Sequence, residues 1–186
     1  MAMRPKSNLT VEEYLEAYQG ASGRYELVDG EVLKMAAETV QHVRLKGRVF
    51  RELTAAIEKT GSDCEAFLDG VSIKISNNTA REPDISVQCG KPANASAMVL
   101  ERPLIVVEVV SPSSSSTDAN QKLAEYFSVT SIMHYLIVWP KQNYCYHHQR
   151  IDDNKVLTTI VRSGMIEFDP PGISISYDSI FGEVGR

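Results

Sequence analysis

Two acidic side chains stand where apolar neighbours make acids costly. Glu108 lies inside Leu104-Ile105-Val106-Val107-Glu108-Val109-Val110, a continuous apolar run of the kind that forms a strand covered on both faces. Asp84, in Pro83-Asp84-Ile85-Ser86-Val87, opens a second apolar strand after a proline that fixes the entry of the chain. A buried carboxylate must be neutralised, paired or bound to a metal, so a compensating cation is expected, either a metal ion or an arginine. Two strand-borne acids that converge offer hard oxygen ligands. Such ligands suit magnesium or manganese, which bridge phosphate oxygens and activate water, and the chemistry that follows is phosphodiester hydrolysis. The carbonyl oxygen of Val109 is a candidate third ligand.

The elements that must position these acids are legible in outline. Thr10 and Glu13 have the spacing of a capping box, and Val11, Tyr14, Leu15 and Tyr18 recur at helical intervals up to Gly20. Tyr25 to Val28 and Val32 to Met35 flank Asp29-Gly30, a dipeptide suited to a tight hairpin turn. From Val40 to Lys59, His42, Leu45, Val49, Phe50, Leu53, Ala56 and Ile57 share a helical face, with Lys46 and several arginines placed mostly elsewhere, and Gly61 stops the helix. Strands are expected over residues 64–68, 71–76, 84–88, 104–110, 135–138, 144–149, 156–161 and 173–177. A helix from Thr117 or Asp118 to about Phe127 separates two of them. Residues 77–81 and 90–101 read as loops, and Asp152-Asp153-Asn154 as a turn.

The chain has 186 residues and a formal charge of −5, which suits one domain over residues 1–186 and excludes a surface coated in positive charge. A local basic groove is compatible with that balance, and acids gathered at a metal site would contribute to it. The longest apolar run is too short to span a bilayer and the N-terminus lacks a signal-peptide core, so a cytoplasmic chain with no membrane partner is expected. Cys64, Cys89 and Cys145 are odd in number and scattered, which fits three reduced thiols.

A set of motifs in order carries a family resemblance: Tyr25-Glu26-Leu27-Val28-Asp29-Gly30-Glu31, Pro83-Asp84, Glu108-Val109-Val110-Ser111-Pro112-Ser113, and Asp118 followed by Lys122 and Tyr126. The chain resembles the Uma-type nucleases, members of the restriction-endonuclease-like superfamily with PD and (D/E)XK motifs, from about Leu9 to Phe181. The resemblance implies an α/β fold with a mixed central sheet flanked by helices. It also implies a metal-dependent endonuclease acting on DNA, with Asp84 and Glu108 holding Mg or Mn. The superfamily places a lysine two residues after the second acid, where this chain has Val110, a departure that by itself would predict a dead enzyme. The Uma-type pattern places the lysine on the following helix, where Lys122 stands. Glu26 matches the acid of the family's hairpin, where it could hold a second metal or a metal-bound water, and His42 a histidine at the start of its long helix, where it could orient a phosphate or a water. Leu136 and Trp139 stand where the family often has Trp and Asp. By analogy with the superfamily a homodimer is expected.

Each of these residues also has a plain structural reading. Glu108 can serve a buried ion pair, and Asp118 with Lys122 an i,i+4 pair on a solvated helix. Tyr126 lies on that same helical face, and His42 can be a packed helix-face histidine. Ser111 and the serines after it suit a loop at the mouth of a site, with no nucleophile elbow around them. His147 and His148 are adjacent on a strand, point to opposite faces, and so are expected to be structural or exposed. A nuclease fold that binds a partner without turnover is the alternative to the enzyme.

Overall fold

The computed structural model describes residues 8–18, 20–110 and 116–182, with the side chains of residues 116–119 outside that set. Its first elements are α1 (Val11–Tyr18), β1 (Tyr25–Val28), β2 (Glu31–Lys34), α2 (Val40–Thr60), β3 (Cys64–Leu68), β4 (Ile73–Lys74) and β5 (Ala80–Arg81). They are followed by β6 (Ile85–Cys89), β7 (Pro103–Val109), α3 (Ser116–Ser128), β8 (His134–Trp139), β9 (Tyr144–Asp152), β10 (Lys155–Val161), β11 (Met165–Phe168), β12 (Ile173–Ser176) and α4 (Tyr177–Phe181).

The ends of these elements are set by local chemistry. The Thr10 backbone N–H donates to Glu13 Oε2 at 2.9 Å and the Glu13 N–H donates back to Thr10 Oγ1 at 3.2 Å, the reciprocal bonds of a capping box. Thr39 caps α2 by accepting from the His42 N–H, and Gly61 ends that helix at φ 64°. The β1–β2 turn places Asp29 at φ 50° and Gly30 at φ 80°. A Cβ on residue 30 would lie 2.8 Å from the Asn8 Cα, so only glycine fits there.

The central sheet has six strands in the order β10-β9-β8-β7-β6-β3, antiparallel throughout except for the parallel pair β7 and β8. A parallel pair needs a crossover, and α3 provides it. Side chains alternate along β7. Ile105, Val107 and Val109 pack with Leu45, Val49, Leu53 and Ile57 of α2, while Val106 packs with Tyr126 of α3 and with Tyr135 and Ile137 of β8. The mixed sheet is thus flanked by α2 on one face and α3 on the other. A second sheet, β2-β1-β5-β4, packs with α1 around Leu27 and Ala80, and β11 pairs with β12. Among the described residues no helix is long and apolar enough to cross a membrane.

Three expectations are corrected. Residues 77–81 are not all loop, because Ala80–Arg81 forms β5 and pairs with Leu27 of β1 and with β4. The strand expected over 71–76 shortens to Ile73–Lys74. Cys64 and Cys89 form a disulfide, because antiparallel pairing of β3 with β6 puts them directly opposite each other. Cys145 alone is a free, buried thiol.

Leu53 is fully buried at the centre of the α2 contact with the sheet. Leu53→Ala is expected to cost about 2–5 kcal/mol, read as a lowered urea midpoint with an unchanged slope. A shift below about 1 kcal/mol would mean that α2 is not the principal cover of that face.

Candidate active site

Asp84 lies at the entry to β6 and Glu108 near the end of β7, and the pairs Ile85↔Val107 and Ser86↔Val106 make these strands antiparallel neighbours. The two carboxylates are therefore neighbours across the end of the sheet. Each is held from a different side.

Asp84 is 4% exposed. Its Oδ2 accepts the Val109 backbone N–H at 2.7 Å, and its Oδ1 faces His42 Nε2 at 3.1 Å. Lys46 Nζ lies 3.8 Å from the same Oδ1. Burial pushes the Asp84 carboxyl up, but the bond and charge of His42, the Val109 N–H and the nearby Lys46 outweigh it and hold the group below its ordinary range.

Glu108 projects toward α3, and its side chain is 14% exposed. Lys122 Nζ donates to Glu108 Oε1 at 2.9 Å and Tyr126 Oη donates to the same oxygen at 2.7 Å. Lys122 and Tyr126 are one helical turn apart on α3, so a single face of the crossover helix supplies both donors. Burial pushes the Glu108 carboxyl up to about 7; Lys122 opposes this, and the charges of Asp84 and Glu26 add to it. Burial and Glu108 together raise the Tyr126 phenol well above its usual value.

Glu26 sits on β1, 3.6 Å from Lys122 Nζ. Its Oε2 accepts from Arg81 at 3.0 Å and its Oε1 from the Glu82 backbone N–H at 3.2 Å. Arg81 turns its other side to Glu125, with bonds of 2.6 and 2.9 Å, and so clamps α3 to the small sheet. On the α2 side, Lys46 Nζ bonds both Glu38 oxygens and Asp69 Oδ2, each at 2.7 Å, and Arg24 contacts Glu38, Asp69 and Glu82.

The structure thus brings Glu26, His42, Asp84, Glu108, Val109, Lys122 and Tyr126 together at one end of the sheet. Ser111 and the Asp118 side chain lie outside the described residues. Among the described residues, Glu108 is paired with a lysine and a tyrosine, not with an arginine. His147 and His148 stand apart: His147 bonds His134 and His148 bonds Thr158, and burial lowers both to about 4. Sequence reasoning missed Lys46, Arg81, Glu38, Asp69 and Glu82. Lys46 is the instructive case, a charged residue beside the apolar stripe of α2 that is nonetheless buried. Its position four residues after His42, one turn along the same helix, was the signal available.

Among the described residues, seven carboxylates, those of Glu26, Glu38, Asp69, Glu82, Asp84, Glu108 and Glu125, are linked here to four cationic side chains, Arg24, Lys46, Arg81 and Lys122. That donor set, rich in oxygen and deficient in positive charge, fits a hard divalent cation. Glu38, His42 and Asp84 also have ligand atoms within 4.8 Å of one another.

The mixed sheet, the flanking helices and the acid cluster at the sheet end define a nuclease-fold α/β protein. A crystal structure described as a putative nuclease belonging to DUF820, from Anabaena variabilis, superposes with a TM-score of 0.72 over 93% of this chain and 97% of its own, at 15% identity. The chain belongs to the Uma2 family, described as "Putative restriction endonuclease", whose family model matches residues 11–174. Two relatives from Synechocystis are uncharacterized proteins. One, sll1609, is 28% identical over 157 residues, covering 81% of this chain and 86% of its own. The other, slr1290, is 26% identical over 179 residues, covering 95% and 93%.

The raised Glu108 carboxyl has a measurable consequence in metal-free protein. A group whose folded pKa, about 7, exceeds its ordinary 4.5 stabilises the fold fully below 4.5, and that contribution is lost as pH rises through about 7. Glu108→Gln keeps an oxygen for Lys122 and Tyr126 while removing the charge. With EDTA present it is expected to melt above wild type at pH 8, by about 1–3 kcal/mol, and to match it below pH 5. A variant less stable than wild type at pH 8 would show that the Lys122 pair outweighs desolvation.

Proposed function

We propose that this chain is a metal-dependent endonuclease that hydrolyses phosphodiester bonds in DNA, with Asp84 and Glu108 holding Mg or Mn and Lys122 serving the reacting phosphate. The observation that carries the reading is the Lys122 ammonium, 2.9 Å from Glu108 and supplied by the crossover helix rather than from the usual position just past β7, where Val110 stands. A lysine reaching the acids from α3 answers the objection that Val110 raises. The carbonyl oxygen of Val109 completes the proposed ligand set. When bound, the ion would polarise the phosphate and lower the pKa of a water.

The chain's own residues divide the remaining work. Lys122 would orient the attacking water and balance charge on the phosphate as it becomes five-coordinate. Tyr126 holds Glu108 in place by its 2.7 Å bond, which fixes the direction of the carboxylate. Glu26, held by Arg81 and the Glu82 N–H and 3.6 Å from Lys122 Nζ, would steer Lys122. His42 would orient Asp84. A homodimer, each copy cutting one strand of a duplex, belongs to the same reading and is checked by light scattering.

The test is a screen of duplex DNA, single-stranded DNA and RNA oligonucleotides with magnesium or manganese, followed by variants on the substrate that is cut. Lys122→Met keeps the packing of the stem and is expected to lower kcat by at least about 100-fold with metal affinity nearly unchanged. Asp84→Asn is expected to lose both cleavage and metal binding. Cleavage that survives in Lys122→Met would remove its assigned role. Absence of cleavage in wild type, with intact binding of nucleic acid, would favour the alternative, a nuclease fold retained for binding.

A further inference from the structure

Two groups of ligand atoms share Asp84: Asp84 with Glu108 on one side, and Glu38, His42 and Asp84 on the other, the latter within 4.8 Å of one another. The Asp84–Glu108 pair is the ion site of the proposed function, the second group has the ligand spacing of another, and a centre that filled both would work with two ions.

The second group already holds a cation. Lys46 Nζ lies 2.7 Å from both oxygens of Glu38, 2.7 Å from Asp69 Oδ2 and 3.8 Å from Asp84 Oδ1, with its side chain 5% exposed. An ion ligated by Glu38 and Asp84 would occupy the space between their oxygens, which is the space the ammonium fills. The Lys46 side chain is buried, and Arg24 also pairs with two of its acid partners, Glu38 and Asp69. His42 gives an independent sign. A histidine that ligates a metal through one ring nitrogen almost always donates its other N–H to a carbonyl, a carboxylate or water. His42 Nε2 faces Asp84, whereas its Nδ1 is buried with no hydrogen-bond partner among the described residues. His42 Nε2 is thus engaged with Asp84, and the second partner usual for a ligating histidine is absent among the described residues.

We propose that Lys46 is a resident cation that keeps divalent metal out of the Glu38–His42–Asp84 group, so that the centre takes one ion, on the Glu108 side of Asp84. The one-ion clause rests on the reading of Asp84 and Glu108 given above. The exclusion by Lys46 does not. A tethered ammonium would hold the acids in place in the metal-free protein and leave His42 as a hydrogen-bond partner of Asp84 throughout.

The test is a titration of the full chain with manganese, without nucleic acid, read by calorimetry and by the electron paramagnetic resonance signal of free Mn(II). Wild type, Glu38→Gln, Glu108→Gln, Lys46→Met and the double variant Lys46→Met/Glu38→Gln are compared. Wild type is expected to bind one ion per chain, unchanged by Glu38→Gln and weakened at least about tenfold by Glu108→Gln. Lys46→Met is expected to gain one further ion, lost again in the double variant. A Lys46→Met protein that binds no more manganese than wild type overturns the proposal, and so does wild-type binding that disappears with Glu38→Gln. If Glu108→Gln leaves wild-type binding intact, or wild type binds none, the Asp84–Glu108 reading fails while the Glu38-dependent gain in Lys46→Met still decides the role of Lys46. Should Lys46→Met not fold, the Glu38→Gln titration decides alone: unchanged affinity supports exclusion, and lost affinity overturns it.

Discussion

The cost of burying carboxylates organises this end of the molecule. An unpaired ion in a protein interior costs several kcal/mol, and here acids from one helix, two sheets and their connections meet in a network of two ion-pair clusters joined by the bond from the Glu82 N–H to Glu26. Asp84 is its keystone. One oxygen takes the Val109 N–H and so ties the entry of β6 to the end of β7, while the other faces α2 through His42 and Lys46. Remove that carboxylate and the end of the sheet, the long helix and the Glu38–Asp69 acid group lose a common partner. The cations that compensate the acids come from elements on every side, so the network also fixes how those elements dock.

The network has an α2 half and an α3 half with different chemistry. Alternation along β7 sends Val107 and Val109 toward α2 and Glu108 toward α3, so neighbouring residues serve opposite faces. On the α2 side the cations are locked: Lys46 is held by Glu38 and Asp69, and Arg24 by three acids. On the α3 side Arg81 is committed to Glu26 and Glu125, and Lys122 stands closest to Glu108. The two neighbouring carboxyls respond in opposite directions. Hydrogen bonds and cations hold Asp84 low, whereas burial raises Glu108. Environments that push paired acids apart are a recurrent feature of sites that handle protons or metals.

Where local chemistry sets a boundary, the sequence was a good guide. The Thr10–Glu13 box, the Asp29-Gly30 turn and the Gly61 stop each need only neighbouring residues, and each is found. Where a boundary depends on a distant partner, it was not. β5 is two residues long and exists because Leu27 and Ile73 flank it, and β11 exists through its pairing with β12. The disulfide is another such case, since 25 residues separate Cys64 from Cys89 and only strand pairing makes them neighbours.

By itself the sequence determined the candidates: acids embedded in apolar strands, a lysine on the next helix, and an ordered set of motifs that named the family. Composition and periodicity sufficed because a buried charge in an apolar run is anomalous wherever it sits. Only the tertiary structure decided the partners. The crossover helix returns over the sheet to bring Lys122 and Tyr126 to Glu108, and α2 turns Lys46 inward beside Asp84. Neither follows from spacing along the chain, because a long side chain on an amphipathic helix can snorkel to water or turn toward a buried acid. Which it does depends on the charges that other elements place nearby.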